Sequence, residues 1–220
     1  MAMNGPPGLL AHGHWTVEQV TVDWLDAPFE PSATQTERAD AHIAQLRQRN
    51  SPSHDGLAAR FVALSRADDD GVHLTLQPAR WALRLVDGDS AGALSALCIV
   101  RRADGAWLAG RRAMWLSSWA GRWALGAGGA VEVGENPAVT LRREMEEEWS
   151  LTPDRLTVRA IVGDPSTMVL VVGVAWLRDG DDAHLVMDEE HDAHAWWPAD
   201  PADWPDEAHE SLRAMAELLA

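Results

Sequence analysis

GAVEVGENPAVTLRREMEEEWSL, residues 129–151, is the stretch from which the rest of this chain can be read. Asn136-Pro137 marks a helix start. Asn is a favoured N-cap, and Pro at the first helical position loses nothing, because its N–H would be unpaired there. The helix is expected to run to Trp149. At about 100° per residue, Glu144, Glu147 and Glu148 share one face, while Glu146 points elsewhere. Leu141, Met145 and Trp149 form the neighbouring apolar stripe. The helix can therefore bury one edge while aiming three carboxylates into one small space. Like charges at i, i+4 are unfavourable on a bare helix, so helix stability does not ask for this pattern. Hard divalent cations do: Mg2+ and Mn2+ prefer oxygen ligands and are held by carboxylates together with phosphates. Gly126-Ala127-Gly128-Gly129, just upstream, lets backbone groups approach a phosphate or a metal closely. Arg143 is spaced to pair with Glu135 or with a helix glutamate and fix its orientation.

Working outward, Leu94–Arg101 reads as a buried strand, Asp104-Gly105 as a turn, and Trp107–Arg111 and Gly121–Leu125 as further strands. Downstream, Leu156–Val162 and Met168–Leu177 read as strands, Asp179–Asp182 as a polar turn, and 183–187 as a short strand. An acidic loop, Asp188–Asp192, leads to His194–Trp197, and a C-terminal helix covers about 207–219. Arg111 and Arg112 are candidates for phosphate, but in an alternating strand only one can face a site. Trp107, Trp115, Trp119 and Trp123 have core packing as their default and base stacking as the functional alternative. For His191 and His194 a structural or exposed role outweighs metal ligation. Upstream lie a strand at Val20–Trp24, a helix over 34–49 that Asn50-Ser51-Pro52 stops, and strands Leu57–Ser65 and Val72–Leu76 around an Ala67–Gly71 turn. Pro78 opens a short helix through Leu85. Asp87–Ser90 is the candidate boundary between an N-terminal appendage, 1–90, and a main domain, 91–220.

The chain has 220 residues and a formal net charge of -16. A surface that acidic repels nucleic-acid backbones, which argues against a nucleic-acid partner. An anionic ligand then needs bound cations or clustered arginines at its site. The single cysteine, Cys98, lies in an apolar strand and reads as core, and no internal disulfide can form. There is no basic stretch followed by an apolar run at the N-terminus. The longest apolar run, Met168–Leu177, is about half a membrane span. The expectation is a cytoplasmic protein with no membrane partner. Twelve Trp and no Tyr is unusual and is read as compositional habit.

Residues 129–151 resemble the Nudix box, the signature of hydrolases acting on nucleoside diphosphates linked to another moiety. Gly129, Glu135, Arg143-Glu144 and Glu147-Glu148 stand at the required spacing. Ser150 departs from it, standing where the family has a Gly that serves a left-handed helix end; Ser there costs roughly 1 kcal/mol. The resemblance extends over about 92–215 through Arg111-Arg112, Trp123, Gly128-Gly129 and Asp188-Glu189-Glu190 ahead of Trp196-Trp197. It implies an α/β (mixed α+β) fold, an α/β/α sandwich with a mixed sheet, to which the appendage is added. It implies Glu144, Glu147, Glu148 and the Gly128 carbonyl as ligands of Mg2+ or Mn2+, with Gly129 and Glu135 in structural, orienting positions. Arg143 orients the glutamates and pairs with Glu135, and Glu190 or Glu189 serves as auxiliary ligand or base. The catalytic set is then Glu144, Glu147, Arg143 and Glu190, with Arg111, Arg112 and Trp123 as substrate candidates. Arg47, Asn50-Ser51-Pro52, Asp55-Gly56 and Leu74-Thr75-Leu76 are faintly similar to the leading segment of Nudix UDP-sugar pyrophosphatases. The implied activity is metal-dependent hydrolysis of a pyrophosphate bond, with a nucleoside-diphosphate sugar as first substrate choice. Set against it are a non-catalytic nucleotide-binding or regulatory domain and a nucleotide-pool sanitising triphosphatase. An isoprenoid-diphosphate isomerase is disfavoured because Cys98 lacks the necessary motif. A homodimer is compatible with the sequence.

Overall fold

The computed structural model describes residues 8–49, 55–67, 70–116 and 118–219. The Asn50-Ser51-Pro52 helix stop, and with it part of the UDP-sugar resemblance, lies outside the described residues, as do Asp68 and Asp69 of the acidic turn. The fold is mixed α+β, rich in strands and poor in helices. In chain order the elements are β1 (Leu9–Trp15), β2 (Val20–Trp24), α1 (Ala33–Gln48), β3 (Leu57–Arg66), β4 (Val72–Arg80), β5 (Ala93–Arg101), β6 (Trp107–Arg112) and β7 (Trp123–Leu125). Then follow β8 (Ala127–Ala130), α2 (Pro137–Trp149), β9 (Arg155–Gly163), β10 (Met168–Trp176), β11 (His191–Trp197) and α3 (Glu210–Leu219). No described helix is long and apolar enough to cross a membrane.

Two compact units are assembled from non-contiguous pieces. The first takes residues 1–96, 129–140 and 158–172. Its strands run in the order β1-β9-β10-β5-β3-β4-β2, with β2 parallel to β4 and β3 antiparallel to it, which makes the sheet mixed. Leu74 and Leu76 of β4 are fully buried. Helix α1 starts with a capping box, Ser32 accepting from the Gln35 N–H while the Gln35 side chain accepts from the Ser32 N–H. Its Ala39 and Ile43 pack with Ala79, Ala82, Leu83 and Val86, which sets the buried face of the helix.

The second unit takes residues 97–128, 141–157 and 173–220. Here β6 pairs antiparallel with β11, from Trp107↔Trp197 to Arg112↔His191, and with β7 on its other edge. Leu141, Met145 and Trp149 of α2 are fully buried, as their spacing requires, and the Trp149 indole N–H donates to the Gly126 carbonyl at 3.0 Å. Gly126 has φ +62°, and a Cβ there would lie 1.8 Å from the Cys98 carbonyl oxygen. Only glycine permits that approach.

Four local expectations are corrected. β1, Leu9–Trp15, had no assignment; its partner is β9. Pro78 does not open a helix: it sits inside β4 opposite Ala59, its carbonyl accepting from Phe29 at 2.7 Å, and a 3-10 turn begins only at Trp81. Residues 183–187 are not a strand. Asp181–His184 form a 3-10 turn, and the Val186 and Asp188 N–H groups donate to the Trp149 and Glu148 carbonyls at 3.0 Å each. They satisfy the carbonyls that the end of α2 leaves open, which no ladder competes for. The glycine-rich entry to the box includes a short strand, β8.

Candidate active site

The entry to α2 is fixed by hydrogen bonds within the first unit. Asn136 Oδ1 accepts from the Ala138 N–H at 2.9 Å, the N-cap bond expected of it, and its amide nitrogen donates to the Val20 carbonyl at 2.8 Å. Glu135 Oε2 accepts from the Thr140 hydroxyl at 2.7 Å and from the Glu132 N–H at 3.3 Å. Glu135 thus holds the turn that delivers the helix.

The acidic residues of α2 lie beyond that point, in the second unit. Glu144 and Glu148 are buried, 8% and 4% exposed, whereas the Glu147 side chain is largely exposed. Arg143 Nη1 spans two of them, 2.8 Å from Glu144 Oε1 and 2.9 Å from Glu147 Oε2. Glu148 is gripped at one oxygen only: the Gly128 N–H donates to Oε1 at 2.9 Å, while Oε2 is buried with no hydrogen-bond partner. Burial pushes the Glu144 carboxyl up to about 7, against the pull of Arg143 and with the help of the Glu147 and Glu190 charges. Burial also holds Glu148 well above the usual carboxylate range; the Gly128 N–H opposes it, and the charges of Glu144 and Glu190 add to it.

The segment before β11 brings the rest. Glu190 is half-buried, its carbonyl accepting from the Ala113 N–H at 2.8 Å and its Oε2 lying 3.6 Å from Arg112 Nη2. Burial raises its carboxyl, and that of Asp188. Glu189 is exposed. Of the two adjacent arginines, Arg112 reaches Glu190, while Arg111 forms a partly exposed pair with Asp192 at 2.6 Å. Strand alternation sends them apart. Trp123 packs 5.8 Å from Trp197, within a group that includes Trp204 and Trp107. Cys98 is fully buried, and burial together with the Glu148 charge pushes its thiol up, so it stays protonated.

Two residues enter that the sequence reading left in the background. The His191 ring lies 4.3 Å from that of Trp149, with Nδ1 3.3 Å from Asp188 Oδ1 and Nε2 3.7 Å from Glu148 Oε2. Burial and the Arg112 charge lower its pKa to about 4, so it is neutral. Gly110 makes this possible: a Cβ there would sit 2.4 Å from His191 Cδ2 and 2.7 Å from the Trp149 ring. The only local signal was a Gly in a strand, which often marks a close approach. His194 stands farther off, 6.3 Å from Trp149 ring to ring.

Among the described residues, no three His, Cys, Asp or Glu side chains converge as a ready set of metal ligands. What the residues do offer a cation is a buried carboxylate oxygen on Glu148 without a hydrogen-bond partner, near the charges of Glu144 and Glu190, which raise its pKa. A hard divalent ion answers both conditions, and an uncompensated buried carboxylate does not persist without some such partner or a proton.

A family model described as NUDIX domain matches residues 92–219. Solved structures similar to the chain include a MutT NUDIX hydrolase from Burkholderia pseudomallei, at 25% identity over 58% of this chain and 98% of that one, with a TM-score of 0.48. A MutT protein from Methanosarcina mazei Go1 aligns at 20% identity over 57% of this chain and 90% of its own, TM-score 0.46. A C. elegans Ap4A hydrolase aligns at 19% identity over 58% and 92%, TM-score 0.42. No curated protein matches the chain.

Proposed function

This chain belongs to the Nudix hydrolases, pyrophosphohydrolases that act on derivatives of nucleoside diphosphates and generally use divalent metals, and on that premise we propose that it hydrolyses a nucleoside-diphosphate sugar with Mg2+ or Mn2+. Glu144, Glu147, Glu148 and the Gly128 carbonyl would hold the ion. The observation that carries the reading is the buried Glu148 Oε2 without a hydrogen-bond partner. When bound, the ion supplies neutralisation of the pyrophosphate charge and activation of water at neutral pH.

The chain's own residues do the rest. The Gly128 N–H fixes one Glu148 oxygen and leaves the other available. Arg143 keeps Glu144 and Glu147 in register along the helix. Glu190 is the proposed base: its Oε2 takes the proton of the attacking water, and the burial that raises its pKa makes it a stronger base than an exposed carboxylate. Arg112, beside it, is placed to receive a phosphate oxygen as charge builds on the leaving group. The water oxygen bonds to one phosphorus, the bridging P–O bond breaks, and a nucleoside monophosphate and a sugar phosphate leave.

The test is a substrate panel of UDP-glucose, ADP-ribose, diadenosine polyphosphates and oxidised dGTP, with Mg2+, with Mn2+ and with a chelator. The expected result is metal-dependent cleavage of a nucleotide sugar at the pyrophosphate, lost in Glu147→Gln. Cleavage of the triphosphate alone would sink the sugar assignment and favour a sanitising role. Cleavage that survives the chelator or Glu147→Gln would sink the metal site as drawn.

A further inference from the structure

All twelve Trp lie among the described residues, and only Trp115 and Trp119 are exposed, each at 37%. Both sit in the ten residues that join β6 to β7, next to Met114, which is 74% exposed. Both Trp keep about a third of their surface in water and Met114 most of its own, a concentration of exposed apolar surface on one short loop.

The base of the loop and the turn at Trp119 are hydrogen-bonded. The Arg112 N–H donates to the Arg122 carbonyl at 2.9 Å and the Gly121 N–H to the Arg112 carbonyl at 2.8 Å, closing its base. The Arg122 N–H donates to the Trp119 carbonyl at 2.9 Å. Trp119 has φ +55°, a left-handed conformation unfavourable for a bulky side chain. Such a residue persists only where its surroundings impose it, and such residues gather at ligand-binding positions. The Trp119 ring is steadied by the edge of His209, 5.6 Å between centroids, and by the Arg122 guanidinium, 5.9 Å from its centroid.

The loop is also wired to the carboxylate cluster. Arg112 Nε donates to the Ser118 carbonyl at 3.3 Å, and the same guanidinium stands 3.6 Å from Glu190 Oε2. The Ala113 N–H, at the start of the loop, donates to the Glu190 carbonyl. One side chain therefore links the loop backbone at Ser118, next to Trp119, to Glu190. A nucleotide has its planar ring a ribose away from its phosphates, and aromatic faces hold bases of any identity by stacking.

We propose that the β6–β7 loop is the nucleobase platform of this enzyme, the base stacking on Trp119 and Trp115 while the diphosphate lies at Arg112 and the glutamates. This rests on the nucleotide reading above and names where the nucleotide half of the substrate binds. The occupant is the base of a bound nucleotide; an apolar protein surface or a second copy of the chain is an outcome of the test.

Full-length protein with Mg2+ would be titrated calorimetrically with UMP, AMP, GMP and CMP, and with ribose 5-phosphate, which lacks the base. Wild type should bind at least one monophosphate roughly 5- to 100-fold more tightly than ribose 5-phosphate, the range one stacked base provides. Trp119→Ala and Trp115→Ala should each shrink that ratio, Trp119→Phe should keep it, and ribose 5-phosphate should bind all four proteins alike. That last affinity, with far-UV circular dichroism, shows that the variants are folded. A ratio unchanged in both alanine variants overturns the platform and leaves the nucleotide reading standing. A wild-type ratio of one for every base overturns both. A dimer in sedimentation that Trp119→Ala splits into monomers, with the ratio unchanged, assigns the patch to a second copy and overturns the proposal.

Discussion

The two ends of helix α2 obey different rules. At its entry every named polar group has a partner: Asn136 caps the first turn, Thr140 donates to Glu135, and Glu135 accepts from the backbone as well. Two turns on, Glu148 keeps a buried oxygen with no hydrogen-bond partner, and the charges of Glu144 and Glu190 add to the burial that raises its pKa. Both ends are built from the same few residue types. Where local satisfaction is complete the residues serve the fold, and where it fails they are kept for something the fold does not need. The sharpest test removes the unsatisfied charge. Glu148→Gln should lower turnover on the order of 100- to 1000-fold, the scale of losing one aimed electrostatic group. It should leave the melting temperature unchanged or raise it, because a neutral amide replaces a poorly compensated buried carboxylate. A melting temperature that falls along with activity would make Glu148 a structural residue and erase the contrast.

Protons provide a second test. Glu144 titrates near 7 in the fold against an ordinary value of 4.5. The folded state therefore holds a proton that the unfolded chain has lost, and metal-free stability must fall as pH rises through about 7. His191, lowered to about 4 from 6.5, acts in the opposite sense, an effect that fades as pH rises past 6.5 and the unfolded imidazole loses the proton that the folded one refuses. Between pH 6.5 and 8 the carboxylate effect is the larger of the two. Chelator-treated protein should melt at a lower temperature at pH 8 than at pH 6.5. Added Mg2+ should raise the melting temperature more at pH 8, since it takes the proton's place. A flat profile would mean that the carboxylates are already compensated.

The capped end should respond in the reverse way. Asn136→Ala removes an N-cap and should cost about 1 kcal/mol of stability, measured by urea unfolding. Turnover per folded molecule should stay within about twofold, well short of the tenfold that 1.4 kcal/mol in the barrier would produce. A large loss of turnover would mean that the entry positions the glutamates more tightly than a cap requires.

What could be read in advance follows the same division. The helix start, its apolar stripe and its acidic face depend on residues within four positions of one another, and local chemistry makes them legible. The burial of His191 does not: it depends on Gly110 having no side chain and on Trp149 arriving from another element. The strand expected over 183–187 failed for a related reason. The Ala183 and Leu185 N–H groups meet carbonyls of the local turn and that of Val186 meets the Trp149 carbonyl, so no ladder forms, and nothing in those five residues announces these partners. In β1, LLAHGHW has no clean alternation, and its strand exists because β9 offers an edge. Glu135 showed that it mattered, but its hydrogen bond to Thr140, five residues on, was not among the expectations.

The smallest effect lies just past the acidic end. Ser150 has φ +54°, and its N–H donates to the Glu146 carbonyl at 2.9 Å, the bond of a left-handed helix stop, with a longer one from the Leu151 N–H to the Met145 carbonyl at 3.5 Å. Glycine pays no steric penalty in that conformation and serine does, while glycine loses more backbone freedom on folding. The first effect is the larger, so Ser150→Gly should stabilise the protein by about 0.5–1 kcal/mol, read as a shifted urea midpoint with an unchanged slope. Turnover should not move, because Ser150 closes the helix after the last glutamate and no hydrogen bond ties its side chain to the cluster. If turnover rose, the helix end would be coupled to the geometry of Glu147 and Glu148, and the acidic end of α2 would be tuned by its stop as well as by its unpaired charges.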